Sequence, residues 1–222
     1  MTVFIFLCLE YRPSWVVELL ENKYNSSMSH WPTYFESKGR CIYCGIRSDD
    51  LTDEHIVPRS LGGQHVIRKA SCKKCAVITS KFERKVARDL WGDARISFNA
   101  PSYRKNKRPT NIIMESTRWA YEVPVTEYPA AMVFYQMPKA WFLQWFDHTE
   151  DISSKWKLIA VDDETRRNNY LKKYGESPRL KFRHIPEEFG RMIAKIWYGQ
   201  ILTTFHPSEF THICLPYILG EQ

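Results

Sequence analysis

Two cysteine pairs are the residues of this sequence whose types and spacing point most clearly to a chemistry. Cys41 and Cys44 form the first pair, Cys72 and Cys75 form the second, and each pair encloses two residues. This spacing lets both thiolates of a pair reach one ion, and two pairs supply the four ligands of a tetrahedral zinc site. Protein sulfurs would fill every position, so such a zinc would be structural. The alternative is two redox-active or merely buried cysteine pairs.

An acidic residue and a histidine are neighbours in the segment between the cysteine pairs. This segment of 27 residues is longer than a usual zinc-ribbon interval, so it contains an insertion. Residues 51–57 are predicted to form a strand, and Glu54 and His55 lie near its end. The Glu54 carboxylate can bind a metal, and the His55 imidazole can serve as a general base. Adjacent strand residues point to opposite faces, so joint action needs a bend, which Pro58 and the following Gly-Gly pair can supply.

The order of these residues resembles the HNH endonuclease family, in particular small bacterial and phage proteins with an E-H-I-x-P-x-x-L-G-G segment between two CxxC pairs. The similar stretch runs from Cys41 to about Glu83. The resemblance implies a ββα-metal finger, in which two strands and a helix hold a catalytic divalent ion. The zinc site would tie together the lower part of this finger. It also implies that His55 is the general base and that Glu54 is the acidic metal ligand.

Two positions depart from the family pattern. Ala76 follows the fourth cysteine directly, where the family usually has Asn or His as its second metal ligand, and Ile67 stands near the middle Asn that orients the catalytic histidine. His65 is the candidate to replace the middle residue. Four further residues could approach the metal, namely Asp53, Thr79, Ser80 and Glu83.

The expected reaction is hydrolysis of DNA phosphodiester bonds, assisted by Mg²⁺ or another divalent ion. Magnesium suits a site with few protein oxygens, because it keeps several waters and accepts phosphate oxygens. Histidine suits proton abstraction from water, because its ordinary pKa of about 6.5 leaves it largely neutral near pH 7. The alternative is a catalytically weakened or inactive HNH-fold zinc module that binds nucleic acid. A third alternative is an interaction protein whose C-terminal part performs the main role.

Basic residues concentrate around the cysteine pairs. Residues 38–108 contain 17 basic and 7 acidic residues, whereas the rest of the chain contains 15 and 18. This concentration favours a polyanionic partner, with nucleic acid ahead of a membrane, and the resemblance favours DNA over RNA. An ordinary solvated surface is the alternative. The candidates for phosphate contact are Arg59, Lys73, Lys74, Lys81, Lys85, Arg88, Arg104 and Lys105.

Length and composition limit the class of protein. The chain of 222 residues is 44% hydrophobic and 26% charged, which is typical of globular proteins. No run approaches the ~18 apolar residues of a membrane-spanning helix. The first residues lack a basic start and a convincing cleavage site, so a secretory signal is not expected. With two CxxC pairs in a basic context, a cytoplasmic location is expected.

The predicted fold class is α+β, and the chain is divided into four parts. Residues 1–37 are an N-terminal extension of unknown role, of which 1–27 need not belong to the native protein. Residues 38–99 form the zinc-stapled ββα-metal (HNH, treble-clef-like) domain, residues 100–110 a basic linker, and residues 111–222 a separate α+β domain of unknown role. The remaining predicted elements are a second strand starting at 66–67, a helix capped by Ser71 and ending near Leu90, strands at 131–135, 156–161 and 180–185, and helices at 163–174 and from Pro186.

Overall fold

The computed structural model describes residues 32–100, 108–115, 120–136, 157–177 and 181–221. The chain forms two compact units. The described elements of the smaller unit lie within Pro129–Leu180, and the larger unit comprises His30–Tyr128 and Lys181–Gln222. Helices and strands are mixed, as predicted. In these described ranges, no helix has the length and the apolar character needed to cross a membrane.

A three-stranded sheet and a helix surround the cysteine pairs in the larger unit. Strands β1 (Thr33–Phe35), β2 (Thr52–His55) and β3 (His65–Ser71) are arranged in the order β1-β3-β2. Strand β3 pairs in parallel with β1 and antiparallel with β2. Helix α1 (Lys73–Lys85) follows β3 directly. The predicted order of two strands and a helix is therefore present, and β1 adds a strand that was not predicted.

Helix α1 begins one residue later than its predicted cap implies. Ser71 is the last residue of β3, and its hydroxyl donates to the carbonyl of Cys72 instead of accepting from a helix amide. Cys72, with an extended backbone at φ −75° and ψ 157°, is the N-cap. The predicted helical course to Leu90 continues as a π-helical segment at Val86–Leu90, and helix α2 (Gly92–Ser97) follows.

Two antiparallel hairpins lie downstream. Strands β4 (Asn111–Glu115) and β5 (Ala120–Pro124) pair within the larger unit. Strands β6 (Ala131–Gln136) and β7 (Lys157–Asp162) pair within the smaller unit, and helix α3 (Glu164–Tyr174) follows β7. The strands predicted at 131–135 and 156–161 and the helix at 163–174 are confirmed to within a residue in the described ranges.

The C-terminal helices belong to the larger unit. Helix α4 (Pro186–Thr204) begins at the predicted proline, and helix α5 (Leu215–Leu219) follows. The strand predicted at 180–185 is wrong over 181–185, where the backbone amide of Arg183 donates to the carbonyl of Asp89 at 2.7 Å and no strand forms. Residues 181–221 thus lie in the same unit as the cysteine pairs, whereas the predicted boundaries group them with residues 111–180.

Candidate metal centre and adjoining basic surface

The four cysteines of the two pairs converge on one point. Their sulfur atoms all lie within 4.8 Å of one another, and Cys44 Sγ is 3.7 Å from Cys72 Sγ. A tetrahedral zinc with Zn–S bonds of about 2.3 Å places its sulfurs about 3.8 Å apart. The cluster could therefore hold a metal ion, and its donor set and spacing fit zinc.

The local sequence builds each half of this cluster. Gly45 takes the left-handed φ of 75° that the first turn requires, and its amide donates to the carbonyl of Cys41 at 2.9 Å. Cys72 stands at the N-terminus of α1, with Cys75 in the first turn. Burial raises the pKa of the Cys72 thiol, but hydrogen bonds from the Cys75 amide and the neighbouring thiols outweigh it and lower the pKa to about 7. A low pKa favours the thiolate that binds metal at Cys72, whereas burial raises the pKa values of Cys44 and Cys75.

Glu54 lies inside the protein. Its residue surface is only 8% exposed, and the hydroxyl of Tyr43 donates to Oε1 at 3.1 Å. The ammonium nitrogen of Lys195, on helix α4, lies 2.8 Å from the same oxygen. Burial raises the pKa of Tyr43 well above its ordinary value, so this hydroxyl remains a neutral donor. Both partners thus meet the same carboxylate oxygen of Glu54.

Lys195 joins Glu54 to a second carboxylate. Its Nζ lies 2.9 Å from Oε1 of Glu83, on α1, and it also donates to the backbone carbonyls of His55 and, at 3.1 Å, Ile56. The Lys195 side chain is 1% exposed. Burial lowers its pKa, but the two carboxylates outweigh that effect and raise it, so the side chain is an ammonium. Burial raises the pKa of Glu83, and Lys195 offsets part of this increase.

The residues at the predicted catalytic-metal position do not fit a divalent ion in this arrangement. Glu54 is already bound by a cation and a hydroxyl, and neither Ala76 nor the buried Ile67 carries a ligand atom. The hydroxyls of Thr79 and Ser80 donate to backbone carbonyls of their own helix. Asp53 accepts the backbone amide of Lys69 at 2.9 Å. Of the candidates to approach the metal, only Glu83 is brought to Glu54, and Lys195 lies between them.

His55 remains near the surface at the end of β2. Its Nδ1 is buried and has no hydrogen-bond partner among the described residues. Burial lowers the pKa of His55, a backbone hydrogen bond with Gly63 raises it in part, and the charges of Lys195 and Arg59 lower it further. The imidazole is therefore neutral near pH 7, which is the form that a general base requires.

Two glycines shape the loop beside His55. Gly62 has a φ of 88°, in the left-handed region, and ends the 3₁₀ turn Arg59–Leu61. Gly63 approaches the backbone of Val57 so closely that a Cβ atom would lie 1.8 Å from the Val57 carbonyl oxygen. Only glycine fits there, which explains the Gly-Gly pair of the motif.

His65 is not brought to His55. The antiparallel register pairs His55 with Val66, so His65 projects from the opposite face of β3. Its ring lies edge-on to Phe35 of β1, with the centroids 5.4 Å apart. This contact gives no support to the prediction that His65 replaces the middle Asn of the family motif.

Comparison with known families bears on this arrangement of two strands, a helix and four cysteines. Residues 41–90 match the family model described as HNH endonuclease. Residues 41–90 are therefore similar to HNH endonucleases. The resemblance predicted from the motif is confirmed, and the match covers the cysteine pairs, Glu54, His55 and α1. No curated protein and no solved structure matches the chain. Residues 41–90 are called the HNH segment below.

The HNH segment carries an exposed basic face on α1. Lys74, Lys81 and Lys85 recur on one side of the helix, and each is exposed. Lys85 forms an ion pair with Glu188 of α4, whereas Lys74 and Lys81 form none within the described residues. The remaining described candidates, Arg59, Lys73 and Arg88, are also exposed. Arg104 and Lys105 lie outside the described residues.

Sequence reasoning did not predict Tyr43 and Lys195 at this site. Tyr43 lies inside the first CxxC pair, where only the cysteines were given a role. Lys195 lies in a helix whose buried face includes Phe189, Met192 and Tyr198. A lysine on an apolar face is a signal of a buried charge, since lysine is almost never fully buried unless it is paired.

Proposed function

We propose that the HNH segment binds nucleic acid, DNA ahead of RNA, and that binding is its activity without divalent-ion-dependent hydrolysis. The observation that carries this proposal is the engagement of Glu54, whose Oε1 is bound by Lys195 at 2.8 Å and by Tyr43 at 3.1 Å. A divalent ion bound at this oxygen would have to displace the Lys195 ammonium. The missing ligands at Ala76 and Ile67 support the same conclusion.

The exposed basic face of α1 is the surface proposed to contact phosphates. Lysine and arginine contacts to phosphates supply affinity without reading sequence, because they replace the counterions around the backbone. Lys81, on this face, and Arg88, in the π-helical segment that continues the helix, are suitable contacts, since both are exposed and neither forms an ion pair in the described part of the chain. Lys85 is less suitable, because it must leave Glu188 before it can bind a phosphate.

Fluorescence anisotropy with unrelated DNA duplexes tests this binding surface. The double variant Lys81→Ala, Arg88→Ala should bind every duplex more weakly and should lower the salt slope by about 2, at about 0.9 per phosphate contact. The matched control is Lys157→Ala, Lys172→Ala, which removes the same charge from exposed positions of the smaller unit. Equal affinities for wild type and the Lys81→Ala, Arg88→Ala variant would refute the proposed binding surface. Equal losses in both variants would show that only net charge matters.

The second candidate is the endonuclease predicted from the motif, with His55 as the general base. The lowered pKa of His55 favours it, because a neutral imidazole can accept a proton from water. A plasmid-nicking assay with magnesium, manganese or nickel separates the two candidates. Nicking that disappears in His55→Ala, while DNA affinity and zinc content are retained, would establish the endonuclease. An inert wild type that binds DNA supports the binding module.

A further inference from the structure

The environment of Lys195 Nζ is a cage of oxygen atoms of the kind that divalent ions use. Two carboxylate oxygens, from Glu54 and Glu83, lie at 2.8 and 2.9 Å, and the carbonyl oxygen of Ile56 lies at 3.1 Å. The carbonyl of His55 completes the set. Carboxylate and backbone carbonyl oxygens are the ligands that Mg²⁺, Mn²⁺ and Ca²⁺ prefer. The position among these oxygens is taken by an ammonium.

The packing of α4 fixes the ammonium in this position. Gly199, one turn beyond Lys195, lies so close to Ile56 that a Cβ atom would be 3.2 Å from its Cγ2 atom. Tyr198 anchors the same turn, because its hydroxyl donates to the carbonyl of Ile42 at 2.6 Å. The helix is therefore tied both to the end of β2 and to the first cysteine pair. Lys195 has little freedom to withdraw from the carboxylates.

The charges explain why a cation is needed there. Two buried carboxylates repel each other, and an unpaired buried charge is strongly destabilising. The ammonium supplies one positive charge and three N–H donors. Unlike a metal ion, it cannot coordinate and exchange ligands. A divalent ion would supply two positive charges at the same place. Without either cation, the pair of Glu54 and Glu83 would be left without compensation.

We propose that the Lys195 ammonium is the resident cation of the HNH segment, in place of a divalent ion, and that removing it creates a divalent-cation site between Glu54 and Glu83. This inference deepens the proposed function and rests on it in one respect, since both require Glu54 to be engaged within the protein. The ligand class of the latent site is a hard divalent cation bound by oxygen atoms.

Manganese titration of the zinc-loaded full-length protein tests the inference, with bound Mn²⁺ measured by electron paramagnetic resonance. Lys195→Ala should bind one Mn²⁺ at least about tenfold more tightly than wild type, which corresponds to about 1.4 kcal/mol. Combining Lys195→Ala with Glu54→Gln should abolish this gain. The matched control is Lys181→Ala, which removes the exposed ion pair with Glu115 and should bind Mn²⁺ as wild type does.

Wild-type protein supplies a readout that does not depend on the folding of any variant. One Mn²⁺ bound by wild type and lost in Glu54→Gln would overturn the inference, and so would a folded Lys195→Ala variant without increased affinity. If Lys195→Ala folds only when Mn²⁺ is present, and Mg²⁺ or Mn²⁺ raises its melting temperature but not that of wild type, the inference is supported. DNA affinity, measured on the same samples, does not depend on the cation between the two carboxylates. Wild-type protein that binds neither DNA nor Mn²⁺ would therefore contradict the proposed function and leave this inference standing.

Discussion

Replacing Lys195 with methionine should destabilise the larger unit strongly. Methionine keeps most of the length of the side chain, so the principal change is loss of the charge. The side chains of the lysine, Glu54 and Glu83 are only 1%, 10% and 19% exposed. Removing one partner of a buried ion pair costs about 3–5 kcal/mol, because it leaves an uncompensated charge. This loss is a large fraction of the about 5–15 kcal/mol that stabilises a typical domain.

Urea unfolding followed by circular dichroism measures this loss. With a slope of about 2 kcal/mol per molar urea, the midpoint should fall by about 1.5–2.5 M. The control Lys181→Met removes a pair whose side chains are 46% and 64% exposed, and it should cost no more than about 1 kcal/mol. Adding Glu54→Gln and Glu83→Gln to Lys195→Met should restore part of the stability, because the buried charges are then removed. A loss for Lys195→Met as small as that of the control would show that the two carboxylates do not depend on this ammonium.

Three other perturbations test separate parts of the structure. Purified protein should contain about one zinc per chain by elemental analysis. The Cys72→Ser variant should lose this zinc, and its HNH segment should unfold, because metal binding and folding are coupled there. Wild-type protein that is folded but free of zinc would contradict this prediction. Gly63→Ala should cost about 1–3 kcal/mol in the same urea assay, because its Cβ atom would lie 1.8 Å from the backbone carbonyl oxygen of Val57, and an unchanged midpoint would contradict this close approach. Tyr43→Phe should cost about 1–3 kcal/mol, because the buried Glu54 carboxylate loses a donor; a neutral effect would mean that this hydrogen bond is unimportant.

The elements around the cysteine pairs were predictable because their signals are local. Two CxxC pairs bring four thiolates together whatever the rest of the chain does, and the spacing of Phe82, Val86 and Leu90 indicates the buried face of a helix. The helices from residue 163 and from Pro186 were likewise predictable from a terminal glycine and an initial proline. The strand predicted at 180–185 is wrong over 181–185, because an alternating pattern alone does not supply a strand partner.

The state of the candidate site was not predictable, because it depends on contacts between distant parts of the chain. Lys195 lies 141 positions beyond Glu54 in the sequence, and nothing local to either residue indicates that they meet. The motif indicates a free carboxylate beside a histidine, whereas packing of α4 places a lysine on that carboxylate. His65 was a reasonable candidate by spacing, but the β2–β3 register sends it to the other face.

Diffraction from manganese-soaked crystals, measured at the manganese and zinc absorption edges, shows directly whether Lys195 stands in the place of a divalent ion. We expect a zinc peak among the sulfurs of the four cysteines and no manganese peak beside Glu54, where Lys195 Nζ should remain within hydrogen-bond distance. A manganese ion about 2.0–2.6 Å from a Glu54 oxygen, with the lysine displaced, would contradict the role of Lys195 as the resident cation and favour the endonuclease.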